Sequence, residues 1–160
     1  MYDYVKGELV ALHPESAVVD VRGVGYRLLV PTNLFGNLQV GSHVQLFTSW
    51  VVRELSQTLF GFITEQERDL FELLITISGI GPKTGLNLIS RLPPDKLNAA
   101  IVAYDVSALS SVPGIGKKTA ERLLIDLKGK HFSSKPAATT AIAEALGACL
   151  LYTSPSPRDS

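Results

Sequence analysis

Two segments of the chain have nearly the same sequence, and their residue types suit the binding of phosphate. Residues 78–84 read Ser-Gly-Ile-Gly-Pro-Lys-Thr, and residues 113–119 read Pro-Gly-Ile-Gly-Lys-Lys-Thr. The two copies are 35 residues apart, and the agreement continues past the turn, where Leu88 matches Leu123. The repeated unit is therefore a whole helix-turn-helix with a Gly-x-Gly turn.

Each Gly-x-Gly turn is predicted to present backbone N–H donors to an anion. The first N–H groups of a helix have no partner within the helix, and the positive end of the helix dipole lies there. Glycine can adopt positive φ without penalty, and without a Cβ it lets a phosphate approach the main chain. We therefore expect phosphate contacts at Gly79 and Gly81 in the first hairpin and at Gly114 and Gly116 in the second, with the intervening isoleucine turned inward.

Lysines follow both turns. Lys83, Lys117 and Lys118 fall in the first helical turn after each hairpin, where an ammonium group can reach the same phosphate or its neighbour. A lysine at this position destabilises the helix slightly, because its charge lies near the positive end of the helix dipole. Positive charge is present there in spite of that loss of helix stability. Such contacts address phosphates and not base edges, which predicts sequence-independent binding to a DNA backbone. The alternative is a tight turn between helices with solvated lysines, and two copies in register favour the binding interpretation.

The distribution of charge agrees with this location. The chain has 15 basic and 15 acidic residues, a net charge of zero that would ordinarily count against nucleic acid as a partner. Residues 1–63 have four basic and five acidic side chains, a net of −1, whereas residues 76–132 have eight basic and four acidic ones, a net of +4. Basic charge is concentrated where the repeats lie.

Other kinds of chemistry have little support in the sequence. Cys149 is the single cysteine and the three histidines are scattered, so neither a disulfide framework nor a metal site is expected. Neither glycine turn fits a Walker loop or a dinucleotide fingerprint, which makes ATP binding, and cofactors in general, unexpected. A hydrolase or nuclease would need a nucleophile with its base or a metal cluster. We expect a non-catalytic chain without cofactors.

The hydrophobic pattern predicts which elements position the hairpins. Residues 1–63 alternate with a period of two between turn signals, which favours a compact antiparallel β-barrel. From Thr64 the period becomes helical, and Thr64 to Glu67 resembles an N-cap with an acid at N3. Residues 64–132 are predicted to form five short helices. The expected fold class is α+β, a barrel followed by an all-α unit.

The end of the chain is predicted to differ from the rest. Residues 133–140 are rich in Ser, Pro, Ala and Thr, which is typical of a flexible linker. Residues 149–160 look like the translation of a sequencing adapter, so the natural reading frame is expected to be interrupted after about Ala148, with Cys149 an artefact. No apolar run approaches the length of a membrane span and the N-terminus lacks a signal-peptide layout, which predicts a cytoplasmic location.

Five motifs stand out along the chain: Gly-Val-Gly-Tyr (23–26), Val-Val-Arg-Glu (51–54), Leu-Phe-Gly-Phe (59–62), Ser-Gly-Ile-Gly-Pro-Lys (78–83) and Pro-Gly-Ile-Gly-Lys-Lys-Thr-Ala-Glu-Arg (113–122). In their order and spacing they resemble the RuvA family. The resemblance covers roughly residues 1–148 and implies an OB-fold barrel, tandem helix-hairpin-helix motifs, a flexible linker and a small helical domain that contacts an ATPase. Residues 141–148 would then be a remnant of the start of that third domain, so we expect the chain to bind junctions without stimulating branch migration.

The resemblance also implies a function. Members of this family bind four-way Holliday junctions as homotetramers and act as the platform on which the hexameric RuvB ATPase drives branch migration in recombination and repair. Four-way junction DNA, further copies of the chain, RuvB and the RuvC resolvase are the implied partners. The implied phosphate-binding positions are Gly79, Gly81, Lys83, Gly114, Gly116, Lys117, Lys118 and Arg122.

An acidic pair in the family's barrel projects into the junction centre. Its first member corresponds to Glu54, whereas the second falls on Leu55, a departure that should weaken the repulsion of phosphates at the crossover. Without the resemblance, Glu54 would be interpreted as a solvated loop acid. A second function stays open at this point: a general duplex or single-strand DNA-binding module that uses aromatic residues on one barrel face. The barrel's aromatic residues are spread out in the sequence, which counts against it.

Overall fold

The computed structural model of the chain describes residues 2–130. The linker predicted at 133–140, the domain remnant predicted at 141–148 and the adapter-like segment 149–160 lie outside the described residues.

The N-terminal part is a closed five-stranded barrel. Strand order around it is β1-β2-β3-β5-β4. The neighbouring strands are antiparallel except at the closure, where β3 and β5 run parallel through the pair Leu29 and Phe60, so the expectation of a purely antiparallel barrel was wrong at that seam. The strands are β1 (Tyr4–Leu12), β2 (Ser16–Val21), β3 (Val24–Leu29), β4 (His43–Arg53) and β5 (Ser56–Phe62), with a 3₁₀ helix at Thr32–Asn37.

Alternating side chains fill the barrel, as the period of two predicts. Leu9, Val19 and Leu28 are fully buried inside it, and Leu46 is nearly so. The 3₁₀ helix adds Leu34 to the same core between β3 and β4. In β1 and β2, burial of the face that carries Leu9 and Val19 fixes the register, because a slip by one residue would turn the apolar set outward.

Within residues 2–130 five helices follow the barrel, which confirms the fold class predicted from the sequence. They are α1 (Glu65–Leu74), α2 (Pro82–Arg91), α3 (Pro94–Ala103), α4 (Val106–Ser110) and α5 (Lys117–Asp126). Thr64 caps α1 by accepting a hydrogen bond from the N–H of Glu67, and Asp105 caps α4 in the same way through Ala108. Proline begins α2 and α3, where a missing N–H costs nothing.

The helices share a hydrophobic core with the last strand of the barrel. Phe60 and Phe62 of β5 pack on Phe71 of α1, with ring centroids 4.8 and 5.0 Å apart. Only Ile63 and Thr64 separate β5 from α1. The change from strand to helix thus falls where the sequence pattern changes, while the division into domains at 63 and 64 stays a prediction.

The buried Arg68 makes a second connection between the two parts. Its guanidinium donates to the side-chain and backbone oxygens of Asp3, at 2.9 and 3.0 Å, and to the carboxylate of Asp69 at 3.0 Å. Burial would lower the pKa of Arg68, but the hydrogen bonds to Asp3 and Asp69 outweigh it and the pKa is raised. The guanidinium therefore stays charged and fastens the start of β1 to α1.

Glu67 makes the stability of α1 depend on pH. Its carboxylate accepts from the Thr64 hydroxyl at 3.1 Å, but burial raises its pKa and outweighs that hydrogen bond. The folded state therefore holds this proton more tightly than the unfolded state, so the resulting stabilisation is complete below the ordinary glutamate range and is lost as pH rises through the raised pKa. We expect Glu67→Gln, which can still cap the helix, to melt a few degrees higher than the parent at pH 8.

Thermal melts between pH 4 and 8 test this expectation, and the advantage of Glu67→Gln should shrink as the pH falls. Glu8→Gln, which removes an exposed carboxyl from β1, is the matched control. Equal pH profiles for the two variants would contradict a role for the burial of Glu67.

Candidate nucleic-acid interface

The repeated sequence folds into two turns with the same backbone. In the first, the N–H of Ile80 donates to the carbonyl of Ile77 at 3.1 Å, and in the second Ile115 donates to Val112 at 3.1 Å. The first bond of each following helix also matches, at 2.9 Å into the carbonyl of Gly81 and 2.8 Å into that of Gly116. The duplication is therefore one of structure as well as of sequence.

The two glycines of each turn have different tasks. Gly79 and Gly114 both have φ of +91°, a conformation that side chains with a Cβ rarely adopt. Gly81 and Gly116 have φ of −85° and are the N-caps of α2 and α5. The sequence allows positive φ at all four glycines, and only the first glycine of each pair adopts it. At Gly81 and Gly116, no neighbouring atom lies within 4 Å of the position that a Cβ would occupy.

The isoleucines between the glycines anchor the turns. Ile80 and Ile115 are each 4% exposed and belong to the helical core, which confirms their predicted inward orientation. Because the buried isoleucine holds each turn on the helical core, the N-terminal N–H groups of the following helix point outward in a fixed direction.

The hairpins pack against each other in a reciprocal manner. Gly79 of the first faces Thr119 of the second, and Gly114 of the second faces Thr84 of the first. Since Thr84 and Thr119 are themselves equivalent in the repeat, the two contacts are related by an approximate two-fold axis. A Cβ on Gly114 would lie 2.9 Å from the Thr84 hydroxyl oxygen, so this approach is possible only with glycine. The threonines in register were noticed in the sequence, but this contact was not.

Exposed cations surround the two turns. Lys83 is the second residue of α2, and Lys117 and Lys118 are the first two of α5, so all three lie in first helical turns as predicted. Arg122 lies one turn further along α5, where it lines a shallow cleft with Ser78 of the first hairpin. Within residues 2–130 none of these four side chains is paired with a carboxylate, so their charge is available to a ligand.

Glu54 and Leu55 form the turn between β4 and β5, and both are exposed. Leu55 is 97% exposed, the highest value among the large apolar side chains described. The neighbours of this turn, Arg53 and Ser56, line a cleft with Gly81 and Lys83. The structure thus brings the Glu54 turn next to the first hairpin, a proximity and an arginine that the sequence reasoning missed.

The aromatic residues of the barrel are less dispersed than their sequence positions suggest. Tyr2 contacts both Trp50, with ring centroids 5.2 Å apart, and Tyr26, at 6.5 Å. The interpretation of these residues as spread out was therefore wrong for these three. Asp3 and Glu72 line the same cleft as Tyr2 and Trp50, which gives the cluster acidic neighbours.

Two features are absent from the part of the chain that the structure describes. Residues 2–130 contain no group of three His, Cys, Asp or Glu side chains that could hold a metal ion. No helix in this part of the chain is long and apolar enough to cross a membrane.

Comparisons with known proteins match both parts of this architecture. The family model described as the RuvA N terminal domain matches residues 1–61, and that of the SAM-like helix-hairpin-helix tandem matches residues 71–129. Similar curated proteins named Holliday junction branch migration complex subunit RuvA come from Protochlamydia amoebophila, 52% identical, and Methylibium petroleiphilum, 50% identical. Each alignment covers 131 residues, or 81% of the chain, and 65% and 68% of the respective relatives. The chain thus spans about two thirds of their length.

Replacement of Gly114 by alanine should cost more stability than the same change at Gly79. Both positions have φ of +91°, so each Cβ introduces backbone strain on the order of 1–2 kcal/mol. Only at Gly114 would the Cβ also collide with Thr84, at 2.9 Å, because the contact at Gly79 is 3.7 Å long. Urea denaturation of both variants measures the difference.

The change Thr84→Ala serves as the control in a double-mutant cycle. It removes the colliding hydroxyl, so Gly114→Ala should cost less in that background and approach the cost of Gly79→Ala. Equal losses for the two glycine variants in the parent chain would argue against the reciprocal contact.

Proposed function

The chain belongs to the RuvA family, and from this membership we propose that it binds four-way junction DNA through sequence-independent phosphate contacts. The observation that supports this most directly is the pair of glycine turns, each with an open helix N-terminus and unpaired lysines. Their common backbone and the contact between them support two equivalent phosphate sites, one at each turn. The names of the relatives supply the kind of DNA, because those proteins are Holliday junction branch migration complex subunits.

The proposed binding of each phosphate uses backbone and side chain together. The phosphate lies at the N-terminus of α2 or α5, where N–H groups and the helix dipole favour an anion. The absent Cβ of Gly81 and Gly116 leaves room for its oxygens. Lys83 on α2 and Lys118 on α5 add a charge at equivalent positions. None of these groups reads a base edge, so the register on DNA is set by backbone geometry.

The packing between the hairpins determines how the two sites cooperate. Since Gly114 and Thr84 hold the turns in contact, the two phosphates bound must be a fixed distance apart along or across one duplex. Each chain would then hold one arm of the junction. Four copies around a four-fold axis would treat the four arms alike, which is why a homotetramer is part of the proposal.

Within that tetramer, the chain is proposed to act as a non-catalytic platform. RuvB would supply the ATPase activity for branch migration, and the RuvC resolvase is a further proposed partner. The exposed Glu54 would face phosphates at the crossover and repel them. With Leu55 as its neighbour instead of a second acid, that repulsion comes from a single carboxylate.

A second candidate function rests on the aromatic cluster of the barrel. Tyr2 is 47% exposed and lies against Trp50, so a base could stack there in a general single-strand or duplex binding module. Arg68 lines the same cleft, but Asp3, Asp69 and Glu72 around it outnumber its charge, so the accompanying phosphates would be repelled. The hairpins, whose cations are unpaired, are the better supported DNA surface.

Binding to a four-way junction should be tighter than binding to linear duplex of the same arm sequence. Only the junction offers several arms to several copies of the chain at once, so avidity adds to each arm's affinity. Gel-shift titrations of the full chain against both DNAs measure the ratio, which we expect to be at least on the order of 100. Equal affinities would sink the junction-binding proposal and leave the general module.

Loss of a hairpin lysine should weaken binding to all sequences alike. Lys83→Ala and Lys118→Ala should each reduce the slope of log K against log salt concentration by about 0.9, the value for one phosphate neutralised on duplex DNA. Lys6→Ala, which removes an exposed lysine from β1, is the matched control. A loss that depended on DNA sequence, or an equal effect of Lys6→Ala, would contradict the backbone mechanism.

A further inference from the structure

A cleft of about 270 Å³ separates the β4–β5 turn of the barrel from the first hairpin. Its apolar lining is made by Leu29, Val51 and Phe60 of three different strands. Its polar lining comes from both sides: Arg53 and Ser56 flank the turn of the barrel, and Lys83 is the second residue of α2. Two cationic side chains from separate parts of the chain thus border one cleft, directly beside Gly81.

The repeat shows why a cation from the barrel matters at this place. The second hairpin carries Lys117, Lys118 and Arg122. At the equivalent positions, 35 residues earlier, the first hairpin has Pro82, Lys83 and Asn87. The first hairpin therefore has one cation where the second has three, although their backbones are the same.

Arg53 is free to bind a ligand. It is exposed at the end of β4, paired in register with Ser56, and within residues 2–130 it forms no ion pair with a carboxylate. The buried Arg68, by contrast, is surrounded by carboxylates and holds the fold together. The contacts of Arg53 therefore give it no role in stabilising the fold, although it lines a cleft with Lys83.

We propose that Arg53 is a further phosphate-binding residue, which supplies from the barrel a cation that the first hairpin lacks. The inference rests on the proposed function of the hairpins and extends it to a residue outside them. The phosphate bound at Gly81 and Lys83 would then receive a guanidinium from the opposite side of the cleft. A guanidinium can bind two phosphate oxygens at once, which a lysine cannot.

The apolar lining makes this contact more effective than one on an open surface. Leu29, Val51 and Phe60 exclude water beneath the cations, and charges interact more strongly where the local dielectric is low. The DNA backbone would be held between barrel and helices, so the turn that carries Glu54 and Leu55 acquires a fixed position relative to the DNA.

The test compares the salt dependence of DNA binding for variants of the full chain. Arg53→Gln should lower the slope of log K against log salt by about 0.9 and weaken duplex binding about five-fold at 0.1 M salt, whatever the DNA sequence. Arg53→Lys keeps the charge and should keep the parental slope. The control is Arg22→Gln, which removes an exposed arginine from the β2–β3 turn and should leave the slope unchanged.

A rescue experiment separates loss of charge from loss of structure. Adding Asn87→Arg to Arg53→Gln places a cation in the first hairpin where the second has Arg122, and the lost slope should return. A parental slope for Arg53→Gln, or a reduced slope that Asn87→Arg does not restore, would overturn the inference.

These measurements are made on linear duplex and on a four-way junction. If the parent chain binds the two DNAs equally, the junction function fails, while the duplex slopes still decide the role of Arg53. If the parent prefers the junction and Arg53→Gln keeps its slope, only the role of Arg53 fails.

Discussion

The proposed DNA-binding surface depends on the contact between its two glycine turns. Gly79 and Gly114 let each turn approach a threonine of the other hairpin, and the buried Ile80 and Ile115 hold both turns on one core. This packing requires backbone with positive φ and no Cβ at Gly114. The two proposed anion sites, each at a helix N-terminus, are thereby held at a fixed separation.

Among residues 2–130 the cationic side chains fall into two classes, one buried and paired with carboxylates, the other exposed and unpaired. Arg68 is buried and its charge is consumed by Asp3 and Asp69, so it contributes to the fold. Lys83, Lys118 and their neighbours are exposed and unpaired within the described residues, so their charge remains for a ligand. A chain with zero net charge can therefore still present a basic surface, since the sum over all residues says little about where uncompensated charge lies.

Local patterns in the sequence predicted what is local in the structure. The change of period near Thr64, the cap of α1 and the lysines in first helical turns all follow from residues close in sequence. The parallel seam between β3 and β5 and the cleft joining Arg53 to Lys83 depend on how distant segments pack. Periodicity carries no information about such contacts. The repeats show in the sequence that the first hairpin has fewer cations than the second, but only the fold places Arg53 beside it.

The aromatic seam of Phe60, Phe62 and Phe71 has a mechanical consequence. Barrel and helices are joined by two residues and a common core, with no slack segment between β5 and α1. A force on a molecule bound at the hairpins would be transmitted to the barrel through the packed rings and the strand pairs. No flexible segment would have to be extended first. A displacement of the helices would therefore be passed to the barrel directly, through the core that the two parts share.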